Sequence, residues 1–240
     1  LRMHLRYPSA LMAVQARMYL AYHMQDPQVF YNKEDLWAIP AAGTQNNEQG
    51  MEPYYTIMKL PGESKEEFIM LLPFTPRNKD NMSAWMAVRC DAPHYGKVIV
   101  YNFPKQKLIY GPRQIEARID QDTEISKQIS LWNQSGSQVI RGGLLAIPIE
   151  KSILYVEPLY LAAEKGQLPE LKRVITAYGN SIAMEDNLEL SLQKIFGGEV
   201  GLEQPTPPSA STAPATDRTD RQLALQALEH YRKSLEHLKR

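Results

Sequence analysis

With 240 residues, 43% of them apolar, the chain is long enough for one large or two small domains and has the apolar content for an ordinary buried core. Its 27 basic and 27 acidic side chains cancel, so no overall field favours nucleic acid or an anionic membrane surface. A single cysteine, Cys90, excludes an internal disulfide framework and any multi-cysteine zinc or iron–sulfur site.

No run reaches the roughly eighteen apolar residues of a membrane span, and the start lacks the basic-then-apolar pattern of an export signal. The chain begins at Leu1 rather than methionine, which suggests a piece of a longer protein. Pro8 suits a first helical turn, and Leu11, Val14, Met18 and Tyr22 follow at spacings of three, four and four until Asp26-Pro27. Residues 8–25 therefore read as a helix. Asn32 with Asp35 three positions on resembles a reciprocal cap and predicts a helix of about two turns carrying Leu36 and Trp37 before Pro40. Residues 41–52, rich in Gly, Asn and Gln without apolar pattern, read as a mobile loop.

Residues 54–60 and 68–72 predict a hairpin around Pro61-Gly62. Two patterns compete over residues 81–90. Met82, Trp85, Met86 and Cys90 fit a helix, whereas Met82, Ala84, Met86 and Val88 fit one face of a strand; Asp80 and Asn81 as caps favour the helix. Residues 97–103 and 107–110 read as another strand pair, turning at Pro104. Beyond Gly111-Pro112, Ile115, Ile119, Ile125, Ile129 and Trp132 share an arc of roughly 140° on a helical projection. Asp122 would fall inside that arc in a continuous helix, and a lone buried carboxylate is costly. The cheaper arrangement is a break, with Asp122 capping a second helix over 123–133.

Residues 138–149, 152–161, 171–178 and 181–184 read as strands, with Gly179-Asn180 as a two-residue hairpin turn. A last helix covers 187–196. Strands interrupted by helices without regular alternation predict an α+β soluble domain over 1–196 with a largely antiparallel sheet. Residues 197–216, with Pro205, Pro207, Pro208 and Pro214, read as a flexible linker. Over 217–240 the residues Leu225, Leu228, Tyr231, Leu235 and Leu238 fall on one helical stripe. An isolated helix is marginal in water, so this truncated tail is expected to be disordered or docked on a neighbouring chain.

Four stretches carry a family likeness: YNKEDLWAIP (31–40), EFIMLLPFTPRNKDNMSAW (67–85), YGPRQIEARIDQDTEISKQISLWNQSGSQVIRGGLLAIPIE (110–150) and SILYVEPLYLAAE (152–164). They resemble the uncharacterised bacterial integral-membrane family UPF0182, over about residues 7–196. The resemblance implies a parent with roughly seven N-terminal membrane spans and a large soluble C-terminal part, of which this chain is the later portion. An odd number of spans after a cytoplasmic N-terminus places the domain on the extracytoplasmic side. The family brings no established activity and no catalytic residues. Thr123 stands where the family pattern has proline, and leaves the proposed helix start intact.

The densest charged cluster is Arg113, Glu116, Arg118, Asp120, Asp122 and Glu124. Paired carboxylates divide acid and base roles when their environments separate their pKa values, which makes an envelope hydrolase using Glu116 and Asp120 the alternative function. The competing reading is an ion-pair network neutralised by Arg113 and Arg118. Asp120-Gln121-Asp122 does not continue as a calcium loop, because Ile125 stands where the turn glycine belongs. Arg141-Gly142-Gly143 offers a guanidinium and approachable backbone N–H groups to an anion, or else forms a hairpin turn or bulge. Arg113, Glu116, Arg118, Asp120 and Arg141 are thus the candidate ligand-binding residues.

No metal, cofactor or nucleophile motif appears, and Cys90 in an apolar pattern reads as inert core. Thirteen Tyr against five Phe suit a sheet meeting a partner or a headgroup layer, or else half-buried strand positions at an ordinary sheet surface. The leading expectation is a non-enzymatic domain serving ligand recognition or envelope assembly. Its expected partners are the transmembrane part of its own parent and a second copy through the tail stripe, with no nucleic acid and no cofactor.

Overall fold

A computed structural model describes residues 6–41, 50–104, 106–134, 136–149, 152–163 and 168–197. Contacts divide the chain into two compact units. One comprises Leu1–Ser130 with Gly143–Ala146, the other Leu131–Gly142 with Ile147–Arg240. Of the linker expected over 197–216 all but Gly197, and all of the tail helix expected over 217–240, lie outside the described residues.

The first unit is organised by β3 (Glu66–Pro76) and β4 (Ala84–Arg89), antiparallel neighbours with Leu71 opposite Ala87 and Leu72 opposite Met86. Period-two alternation sends Met70, Leu72, Phe74, Ala84, Met86 and Val88 into one apolar cluster and Ile69, Leu71, Trp85 and Ala87 into another. The edge of β3 away from β4 is shared by β1 (Trp37–Ala38) and β2 (Tyr54–Lys59), and β5 (Val98–Asn102) extends the sheet beyond β4. Gly62, at φ +81°, supplies the left-handed residue in the β2–β3 turn. Helix α1 (Ser9–Tyr22) buries Met12 and Ala16 in the first of these clusters.

Three expectations are corrected here. Within residues 81–90 the chain forms a strand, Ala84–Arg89, rather than a helix, because β4 is covered on both faces and leaves no polar side to reveal its period. Asn81 caps nothing; its amide donates to the carbonyl of Ile109 (3.4 Å) and to Gln114 Oε1 (3.2 Å). The short helix lies earlier than Asn32 implied, as α2 (Pro27–Asn32), with Trp37 in β1. Helix α1 has already ended at Tyr22, and Asp26-Pro27 starts α2: Asp26 Oδ1 accepts from the N–H groups of Gln28 (2.7 Å) and Val29 (3.1 Å). Proline costs nothing at a first helical position. Residues 107–110 are not a strand; the Ile109 carbonyl accepts from the Met82 N–H at 2.9 Å. The mobile-loop reading falls on residues 42–49, outside the described residues, whose flanks Ala41 and Gly50 form an antiparallel bridge.

The break at Asp122 is where the buried-carboxylate argument put it, between α3 (Pro112–Gln121) and α4 (Thr123–Trp132). Asp122 Oδ1 accepts from the N–H groups of Glu124 (3.1 Å) and Ile125 (3.0 Å), while Ile115, Ile119 and Ile125 are buried.

The second unit is built around β8 (Ser152–Ala163), which pairs with β9 (Glu170–Tyr178) along most of its length and with β6 (Ser137–Arg141) near its end. The hairpin partner β10 (Ser181–Glu185) follows the Gly179-Asn180 turn, with Gly179 at φ +55°. Residues 138–149, read as one strand, are two: β6 and β7 (Leu145–Ile149), both paired to β8 and interrupted at Gly142-Gly143. Helix α5 (Leu188–Phe196) starts at Asn187, whose Oδ1 accepts from the Leu190 N–H at 2.9 Å. Ser191 joins it to the sheet through Thr176 Oγ1 (2.7 Å) and the Ala183 carbonyl (3.2 Å), all buried. Among the described residues, antiparallel sheets with five helices make an α+β fold.

Candidate functional site

The charged cluster on α3 is set by what anchors that helix. A Cβ on Gly111 would lie 1.8 Å from the Asp80 carbonyl oxygen, so only glycine lets the chain enter α3 so close to residue 80. Gln114 then holds the start, its Oε1 accepting from the Gly111 N–H at 3.0 Å. With Ile115 and Ile119 fixed in the core, helical periodicity places Arg113, Glu116 and Asp120 along one face. Arg118 falls on a different one, its guanidinium 4.9 Å from the Tyr110 ring centroid. Arg113 and Asp120 are exposed and Glu116 half-buried. Asp122 is used as the cap of α4, so the sequence cluster is two things in space, a charged helix face and a helix junction. Of the two carboxylates on that face, Glu116 is the more buried and Asp120 the more exposed, one helical turn apart.

Arg141, the remaining candidate, belongs to the second unit. Its Nη2 donates to Glu157 Oε2 at 2.9 Å and its Nε to Glu157 Oε1, with the Glu157 side chain only 2% exposed. Gly142 follows because Pro158 lies against the chain: a Cβ there would meet Pro158 Cγ at 2.6 Å, while the Gly142 N–H donates to the Pro158 carbonyl at 2.8 Å. The glycine serves close strand approach, and both the guanidinium and the Gly142 N–H have internal partners. Among the described residues, no group of three His, Cys, Asp or Glu side chains stands where it would hold a metal ion.

Two features escaped the sequence reading. The first is Arg89 at the end of β4, 2% exposed, with Nε on Glu67 Oε2 (2.6 Å), Nη2 on Glu67 Oε1 and Nη1 on Glu63 Oε1 (2.7 Å). The Glu67 hydrogen bond is the chief reason its affinity for the proton is raised further. Had residues 81–90 been read as a strand, Arg89 would have followed Trp85 and Ala87 onto one face, flagging a buried cation in need of carboxylates.

The second is the outer face of α1. Leu11, Val14, Met18 and Tyr22, the spacing that revealed the helix, are 46%, 54%, 58% and 70% exposed. The buried side is instead Met12 and Ala16, flanked by Tyr19 and Leu20. Helix α1 is apolar on two opposite sides, and the sequence does not say which one meets this core.

The tyrosines mostly have structural partners. Tyr54 donates to the Ala146 carbonyl (2.5 Å) and accepts from its N–H (3.2 Å); burial pushes its phenol far up. Tyr55 donates to the Tyr7 carbonyl at 2.5 Å, Tyr101 stacks on Trp85 at 4.3 Å, and Tyr155 is buried. Cys90 is fully buried, and burial raises its thiol pKa.

Residues 1–132 match the model of the family described as Uncharacterised protein family (UPF0182). The chain is 60% identical over 219 residues to a UPF0182 protein of Geotalea uraniireducens, covering 90% of this chain and 24% of that protein. It is 57% identical over 235 residues to one from Pelobacter propionicus, covering 98% of this chain and 26% of that protein. With a UPF0182 protein of Pelotomaculum thermopropionicum the identity is 52% over 240 residues, covering all of this chain and 26% of the relative. The chain thus spans about a quarter of the length of these relatives. No solved structure matches.

Proposed function

Since the chain belongs to the Uncharacterised protein family UPF0182, we propose that it is a non-catalytic domain of a multi-pass bacterial membrane protein, acting beside the bilayer in ligand recognition or envelope assembly. The observation that carries this reading is the use of charge. Asp122, Arg118, Arg141 and Arg89, the groups best placed for chemistry, are engaged in a helix cap, an aromatic contact and two ion pairs. The α1 face, by contrast, leaves large apolar side chains open to a partner. About three quarters of each relative lies outside the matched segment, which is ample length for membrane spans. No helix among the described residues is long and apolar enough to cross a membrane. In this reading the spans are elsewhere in the parent, the domain faces the extracytoplasmic side, and its partners are those spans and a second copy through Leu225, Leu228, Tyr231, Leu235 and Leu238.

The full-length gene tests the membrane assignment. Apolar segments of about 20 residues upstream are expected, and their absence refutes it. The side is tested in cells with an impermeant thiol reagent on Leu108→Cys, a position 72% exposed, because the buried Cys90 contributes little background. Labelling only after lysis refutes the extracytoplasmic placement. An enzymatic screen addresses the envelope-hydrolase alternative: turnover abolished by Glu116→Gln or Asp120→Asn would replace the present reading.

A further inference from the structure

The overall charge of the chain is zero, but its first 25 residues are not balanced. They contain Arg2, Arg6, Arg17, His4 and His23 and no Asp or Glu. The exposed stripe of α1 falls within that stretch. On a helical projection Leu11, Val14, Met18 and Tyr22 span about 80°, with Arg17 to one side of them, and Met12 and Ala16 point the other way into the core. The stripe runs about 16 Å along the helix. An exposed apolar band with an arginine along one side and free of carboxylates is the pattern of a helix lying in a membrane interface. Tyr22, with a polar hydroxyl on an apolar ring, suits the headgroup level.

We propose that α1 lies along an anionic bilayer surface, with Leu11, Val14, Met18 and Tyr22 at the headgroup boundary and Arg17 against lipid phosphates. The inference rests on the membrane-adjacent reading above and deepens it by naming the surface. Charge decides among occupants. A second copy would bring two arginine-bearing, carboxylate-free faces together. The chain's own residues 217–240 carry six basic against four acidic side chains, again the wrong sign. The nearest carboxylates in sequence, Asp26, Glu34 and Asp35, lie beyond the C-terminal end of α1, and Asp26 is held by the α2 cap.

The test is co-sedimentation of the 240-residue chain with vesicles of phosphatidylcholine alone and with about 30% phosphatidylglycerol, an anionic content that gives a negative surface potential. Retention of native circular dichroism is verified for each variant. The expected result is binding to the anionic vesicles only, weakened by salt. Leu11→Ser with Met18→Ser is expected to lower the partition coefficient at least tenfold. Arg17→Glu should lower it at least fivefold, the factor for about one basic charge at such a surface. Leu108→Ser, at an exposed leucine outside α1, should leave it unchanged. The proposal is overturned if the folded chain does not bind anionic vesicles, or if the α1 variants bind as well as the parent sequence. It is also overturned if sedimentation without lipid shows a dimer that Leu11→Ser with Met18→Ser dissolves, since the stripe is then a self-interface. Upstream spans in the gene together with failed vesicle binding would reject this inference alone; absent spans would reject the reading beneath it.

Discussion

Arg89 offers the sharpest test of the structural argument, because its two carboxylates differ in burial while sharing one cation. The guanidinium is 2% exposed, Glu67 15% and Glu63 40%. Removing one partner of a buried ion pair costs about 3–5 kcal/mol, since the other charge is left uncompensated. Glu67 makes the two-point contact, but Glu63 remains to neutralise part of the charge, so Glu67→Gln is expected to cost about 2–3 kcal/mol. Glu63 is more than a third exposed and makes one bond, so Glu63→Gln is expected to cost no more than about 1 kcal/mol. Replacing the pair by apolar groups, Arg89→Met with Glu67→Leu, should recover most of the Glu67→Gln loss, because no buried charge is then orphaned. Equilibrium urea unfolding, followed by fluorescence from Trp85 on the same sheet face, gives the three values. Equal costs for the two glutamates, or a Glu67→Gln loss below about 0.5 kcal/mol, would refute the burial argument.

The junction of α3 and α4 predicts that Asp122→Ala lowers stability by about 1 kcal/mol in thermal melts, while Asp122→Asn, still a good cap, is nearly neutral. Gly111→Ala should cost more than about 2 kcal/mol, because the new Cβ meets a backbone oxygen that cannot swing away, whereas Gly143→Ala, with nothing within 4 Å, should stay within about 1 kcal/mol. At high pH, Cys90 and Tyr54 are both held protonated by burial, so their folded-state pKa values exceed the unfolded ones. Their contributions are complete below the unfolded values of about 8.5 and 10 and are lost as pH rises through the folded ones. Stability should therefore fall above about pH 8.5, and denaturation at stepped pH should show Cys90→Ala and Tyr54→Phe each flattening its part of the fall.

The legible parts of the fold were those with a local signature. The β2–β3 hairpin at Pro61-Gly62, the β9–β10 turn at Gly179-Asn180 and the break at Asp122 each follow from the chemistry of one or two residues. What resisted reading depends on neighbours distant in sequence. Strand β4 is apolar on both faces because β3 and β5 flank it and apolar clusters cover it, so its apolar run from Ala84 to Val88 fits either period. Arg89 was lost with it. Hairpin signals say which strands are consecutive and not where one sheet stops. At the candidate site, the charged run from 113 to 124 was visible, but the role of each member depended on which way α3 turned around Ile115 and Ile119.

Helix α1 shows how composition can conceal a functional signal. Net charge and apolar fraction are averages over 240 residues, and both are ordinary. The unusual feature is local: one helix carries an apolar stripe on each of two opposite sides, in a stretch of 25 residues with three arginines and no carboxylate. Packing against the sheet accounts for Met12 and Ala16 but gives no reason for Leu11, Val14, Met18 and Tyr22 to be apolar, and an exposed helix face is ordinarily polar. Single exposed hydrophobic residues need no explanation, whereas four aligned on one face do. With the polar chemistry of Arg89, Arg141 and Asp122 spent on the fold itself, that stripe is where the sequence departs furthest from what folding alone requires.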